Sequence, residues 1–208
     1  MIKFLEFYER RHNTFMVYGL TGGTGSGKTT VCGYLEEMGY KVIDADKVAR
    51  SLTEPGSDVL CQLAETFGKE ILAEDGSLIR KKLGDIVFNN KEKLQQLNDI
   101  MGPAMDAVFE KVLTEARLED PYSKVFFDAP TLYESGREYM VDKVWVVAAG
   151  LEARIKRIMD RDGLSREQVL ARMANQLPEE EKIRRADVVI YNDGTLEDLR
   201  NAVEKALK

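Results

Sequence analysis

The chain has 208 residues, 44% of them hydrophobic, which is enough for one compact core with a modest appended lobe. A formal net charge of -6 excludes the global basic field that drives nonspecific nucleic-acid binding, so no nucleic-acid partner is expected. No apolar run approaches a membrane span, Cys32 and Cys61 have neither metal-site nor redox spacing, and Glu6 and Glu9 interrupt the apolar start, so the chain reads as a reduced, cytoplasmic protein without a membrane partner.

The first predicted strand, residues 16–20, runs straight into GGTGSGKT at 22–29, after which a helical pattern begins. This is G-x-x-x-x-G-K-[ST] in the strand–loop–helix setting that the pattern requires. Gly23, Gly25 and Gly27 let the backbone wrap so that its amide groups, with that of Ser26, point at phosphate oxygens, and the following helix adds its positive N-terminal end. Lys28 reaches the β- and γ-phosphates as a point charge, the Thr29 hydroxyl ligates Mg²⁺, and Thr30 completes the set that holds ATP. The Lys28 side chain is expected to pack against nothing, so its removal should spare folding. A dinucleotide fingerprint is excluded, because Gly23-x-Gly25 meets Lys28 where the third glycine belongs.

The second strand, 41–44, leads into VIDADKVAR at 42–50, which puts Asp44 and Asp46 at the strand edge where open α/β sheets bind ligands. Either is a candidate base for an acceptor hydroxyl, and along an extended segment the two alternate and face opposite ways. About eighty residues without a convincing strand follow, with helical patterns at 79–88, at 91–101 and after Pro103. No N-K-x-D is present, since Asn90-Lys91 continues as Glu92-Lys93, and a guanine switch is excluded.

The third strand, 124–128, ends on Asp128, the usual setting for a carboxylate that orients the Mg²⁺ shell. After a fourth strand at 143–148, helices at 151–161 and 165–176 meet at Asp162-Gly163, the second opened by Ser165 and Gln168 in capping-box positions. Seven arginines in 151–186 are nearly balanced by acidic residues, so most read as solvated faces. Arg157 and Arg161, spaced i, i+4 and directed toward the turn, are the candidate phosphate contacts. A fifth strand, 188–191, and a helix opened by Thr195 end the chain. His12, the only histidine, lies before the first strand, which leaves none for catalysis.

These elements predict an α/β fold of the P-loop NTPase type: a five-stranded parallel sheet with a helical acceptor-binding insertion and a helical lid. The expected core comprises 16–56, 119–150 and 187–208, with an acceptor lobe at 57–118, a lid at 151–186 and an N-terminal extension at 1–15.

The order and spacing of several segments are more specific than the phosphate loop. GLTGGTGSGKTTV at 19–31, VIDADKVAR at 42–50, EPG at 54–56, DGSLIRKKL at 75–83, LNDIMGP at 97–103, DAPTLYE at 128–134, RDGLSREQ at 161–168 and ADVVIYNDG at 186–194 together resemble dephospho-CoA kinases from Met16 onward. The resemblance implies ATP-dependent phosphorylation of the ribose 3′-hydroxyl of dephospho-CoA, the last step of coenzyme A synthesis. It further implies Asp46 as the catalytic base, Arg50, Arg80 and Glu134 near the acceptor, and Arg161 in the lid. Two positions depart from the family: Gly102-Pro103 stands where His-Pro is usual, and Thr131 where leucine is usual. The alternatives are a kinase of another nucleoside or nucleotide, or a non-catalytic nucleotide-binding regulator. Retention of Lys28, Asp46 and Arg161 together favours the enzyme.

Overall fold

A computed structural model describes residues 14–87 and 90–208. His12, Phe88 and most of the N-terminal extension lie outside the described residues. Five strands form one parallel sheet: β1 (Met16–Thr21), β2 (Lys41–Asp44), β3 (Lys124–Asp128), β4 (Lys143–Ala148) and β5 (Val188–Tyr191), in the order β2-β3-β1-β4-β5. The three inner strands are almost continuously buried, as strands covered on both faces must be, while the edge strands β2 and β5 are wetter.

The described helices are α1 (Lys28–Glu37), α2 (Ala45–Ser51), α3 (Asp58–Phe67), α4 (Arg80–Val87), α5 (Lys91–Glu119), α6 (Leu151–Asp162), α7 (Arg166–Met173), α8 (Glu179–Arg185) and α9 (Leu196–Ala206). Capping boxes open α7 at Ser165 with Gln168, and α9 at Thr195 with Asp198.

Cα packing separates two compact units, one running to Asp44 and resuming at Ala116–Lys208, the other Ala45–Glu115. The first is built on the sheet. Its core stacks Tyr18 on Phe126 at 5.1 Å, with Trp145 edge-on to both, and seals one face with Val31 and Leu35 of α1 and Leu199 and Val203 of α9. A smaller cluster of Ile155, Ile158 and Val169 joins α6 to α7. The second unit gathers Leu63, Phe67, Ile71, Leu83 and Val87, with Leu94, Leu97, Ile100 and Met101 packed against them.

Two sequence expectations are corrected. The patterns on either side of Pro103 form one helix, α5, rather than two. An interior proline costs about 3 kcal/mol, partly through a clash with the Cβ of the preceding residue. That residue is Gly102, which has no Cβ, and buried Met105 and Phe109 downstream hold the helix in place. Second, Asp44 and Asp46 do not alternate along one strand. β2 stops at Asp44 and α2 starts at Ala45, so Asp46 sits in the first turn of a helix, favourable for a carboxylate, and i, i+4 from Arg50.

Candidate active site

The loop from Gly22 to Gly27 leaves the C-terminal end of β1 and enters α1 through Gly27, whose φ of 98° is left-handed and whose missing Cβ makes room for the Asn192 amide. The carbonyls from Gly23 to Gly27 are each tied to a donor. Gly23 O accepts from Ser26 N at 3.0 Å, and Thr24 O from Arg154 Nε at 3.0 Å. Gly25 O accepts from Arg157 Nη1 at 3.3 Å, Ser26 O from Asn192 Nδ2 at 2.8 Å, and Gly27 O from the Thr30 and Val31 amides at 3.0 and 3.2 Å. By contrast, the amides of Gly25, Gly27, Lys28 and Thr29 find no acceptor among the described residues. A backbone with its carbonyls tied outside and its N–H groups turned inward at a helix N-terminus is an anion cradle. The Ser26 hydroxyl oxygen is likewise buried with no protein partner. The loop therefore fits a polyphosphate.

Lys28 is not free, as the sequence suggested. Its ammonium, on a side chain only 13% exposed, pairs with the Asp128 carboxylate, 15% exposed. Asp128 ends β3 in register with Leu20 of β1 on one side and Asp44 of β2 on the other, so the two carboxylates share one row and one face of the sheet. Near Asp128 lies Cys32, whose thiol is pushed up to about 12 by burial first and then by the charge of Asp128. Thr29 is exposed on the first turn of α1. Among the described residues no group of three or more His, Cys, Asp or Glu could enclose a metal. The Thr29 hydroxyl and the Asp128 and Asp44 carboxylates are instead hard oxygen donors, whose chemistry fits Mg²⁺.

Of the lid arginines, Arg157 reaches the loop and also donates to Asn192 O at 2.8 Å. Arg161 does not reach it: its guanidinium grips Asp162 through two bonds of 2.7 and 2.9 Å, and Arg172 adds a third at 2.9 Å. Hydrogen bonds and charge from Arg161, then Arg172, hold the Asp162 carboxyl below its ordinary value. Glu134 pairs with Lys182 at 2.7 Å and accepts from the Leu177 amide at 2.9 Å. In the second unit, Arg80 Nη2 donates to Thr53 Oγ1 at 2.8 Å, and that buried hydroxyl donates to Ala49 O and Arg50 O. Thr53 thereby joins Arg80 to the end of α2, close in sequence to Asp46 and Arg50, both exposed.

Sequence reasoning missed Arg154, Asn192 and Lys182. Arg154 is 6% exposed rather than solvated. Its i, i+3 spacing from Arg157 was an available signal, as was the place of Asn192 at the C-terminal edge of β5. Lys182 has none: it sits in the charge run EEEKIRR yet is fully buried, also donating to Pro130 O at 3.2 Å.

Comparison with known proteins gives the family of the chain. The family model described as dephospho-CoA kinase matches residues 16–198. A dephospho-CoA kinase of Fusobacterium nucleatum is 45% identical over 192 residues, covering 92% of this chain and 97% of the relative. A crystal structure of a Thermus thermophilus protein aligns with a TM-score of 0.81 at 40% identity, over 93% of this chain and 97% of its own. The dephospho-CoA kinase from Campylobacter jejuni aligns at 0.68 and 31%, over 93% and 96%. Shikimate kinase from Acinetobacter baumannii, at 0.50 and 16%, shares the fold alone. No described helix is long and apolar enough to cross a membrane. With a family model spanning most of its length and relatives above 40% identity, the chain belongs to the dephospho-CoA kinase family.

Proposed function

We propose that this chain transfers the γ-phosphoryl group of ATP to the ribose 3′-hydroxyl of dephospho-CoA in the cytoplasm, giving coenzyme A and ADP. The observation that carries the reading is the inward-facing amide cradle of Gly25, Gly27, Lys28 and Thr29 in a chain whose family is dephospho-CoA kinase. The cradle, which also includes Gly23, Ser26 and Thr30, takes the ATP phosphates, with Arg157 steadying it from outside.

Lys28 exchanges its bond to Asp128 for the β- and γ-phosphate oxygens, one anion for another. Asp128, once released, and Thr29 would hold Mg²⁺, which would neutralise charge on the phosphates. Asp46, on the exposed first turn of α2, accepts the proton of the attacking hydroxyl, and Arg50 and Arg80, linked through Thr53, hold the acceptor. The lid stretch beyond Arg157 carries Arg161, which swaps Asp162 for the γ-phosphate as the lid closes and water is excluded. Glu134 acts by bracing the loop after β3 through Lys182.

The test is turnover with ATP and Mg²⁺ on dephospho-CoA, adenosine, AMP and uridine in parallel. Dephospho-CoA should be preferred in kcat/KM by at least 10³-fold, since a site built on polar contacts discriminates strongly against analogues that leave them unmade. A comparable rate on AMP or adenosine, or no transfer to any acceptor, would overturn it.

A further inference from the structure

Thr24, at the tip of the phosphate loop, is gripped on both of its backbone groups from one direction. Its N–H donates to Gln176 Oε1 at 2.8 Å and its carbonyl accepts from Arg154 Nε at 3.0 Å. Arg154 is aimed by Glu179, whose one carboxylate oxygen pairs with Nη1 while the other accepts from the Ala149 amide at 3.0 Å. Arg154 and Glu179 side chains are 7% and 13% exposed, so this is a largely desolvated, oriented pair rather than a surface contact. Gln176 lies in the short connector between α7 and α8 and Glu179 opens α8, a stretch that Leu177 N and Lys182 Nζ fasten to Glu134.

We infer that Gln176, Arg154 and Glu179 are positioning residues for ATP. Together they clamp the Thr24 backbone from outside and pre-order the loop so that its amides already face the phosphates before ATP arrives. The inference rests on the reading of this loop as the ATP site. A loop ordered in advance loses little freedom on binding, so the clamp acts on ATP affinity and not on the chemical step. A net hydrogen bond corresponds to roughly 3- to 10-fold in a binding constant.

The experiment measures kcat, KM for ATP and KM for dephospho-CoA in the full-length enzyme, with thermal unfolding of each variant. The variants are Gln176→Met, which keeps length but removes the acceptor for the Thr24 amide, Glu179→Gln, which removes the charge that aims Arg154, and the pair together. Each single change should raise KM for ATP about 3- to 10-fold, leaving kcat and KM for dephospho-CoA within about twofold. The double variant should fall short of the product of the two, because both act on the backbone of one residue. A role confined to folding would lower the unfolding temperature and the amount of active enzyme without moving KM for ATP. That result, or an unchanged KM for ATP in Gln176→Met, would overturn the inference. Failure of the wild-type enzyme to bind ATP would instead refute the underlying reading. If Glu179→Gln does not fold, Gln176→Met decides alone, since Gln176 carries no buried charge.

Discussion

Gly23→Ala probes the loop from inside. Gly23 does not have a positive φ, so an alanine backbone is tolerated there. The added Cβ, however, would lie 2.7 Å from Arg154 Cζ and closer still to Nη2, below any ordinary contact. A free arginine tip would swing aside at little cost, but this one is buried, bonded to Thr24 O and paired with Glu179. Displacing it forfeits a charged hydrogen bond, about 1.5–3 kcal/mol, and in the limit strands a mostly buried carboxylate, about 3–5 kcal/mol. Partial retention of the pair puts the expected loss near 2–4 kcal/mol, a fall in Tm on the order of 5–12 °C. Gly33→Ala is the control: mid-helix in α1, with nothing within 4 Å of its added Cβ, it should gain about 0.5–1 kcal/mol. Urea and thermal unfolding of both variants, with KM for ATP, make the measurement. A Gly23→Ala protein as stable as wild type with unchanged KM for ATP would refute the clash argument.

Lys28→Ala should lower kcat/KM by on the order of 100-fold or more, by analogy with the loss of a preorganised transition-state contact, and should also cost about 1–3 kcal/mol of stability because Asp128 loses its partner. Unaltered stability would mean the pair is worth nothing to the fold. Asp46→Asn should reduce kcat by roughly 10² to 10⁴ with ATP affinity within a few-fold, whereas abolition of turnover by Asp44→Asn with Asp46→Asn active would exchange their roles. Arg161→Ala should lower kcat more than it weakens ATP binding; loss of ATP affinity alone would make Arg161 a ground-state contact.

At pH 8 a thiol reagent should label exposed Cys61 and spare Cys32, which is buried and protonated until the pH nears about 12. Because the folded value lies above the ordinary 9.0, this thiol's contribution to stability is complete below about 9 and is lost as pH rises toward about 12. Labelling of both thiols in folded enzyme at pH 8 would contradict that burial.

The strands were legible because each is a short apolar run bounded by turn residues, and four of the five coincide with the sequence expectation end to end, with β1 one residue longer at Thr21. The phosphate loop was legible because its chemistry resides in consecutive residues, and the caps at Ser165 and Thr195 because a cap is local. Tertiary structure alone decided what meets the loop from far along the chain. Arg154, Arg157, Gln176 and Asn192 lie more than 120 residues beyond it, and the helical spacing that groups Arg154, Arg157 and Arg161 does not say that Arg154 is buried while Arg161 stays exposed. Pairing decided it, since a buried guanidinium is stable only where a carboxylate such as Glu179 accompanies it. The same rule buries Lys182 on Glu134 and Lys28 on Asp128, while Asp162, with no buried cation to join, keeps Arg161 at the surface. Along α5, packing overruled a local signal. Pro103 reads as a break, yet Leu94, Leu97, Ile100 and Met101 before it are partly buried and Met105 and Phe109 after it are buried, and with Gly102 relieving the steric clash their burial outweighs one lost helical bond.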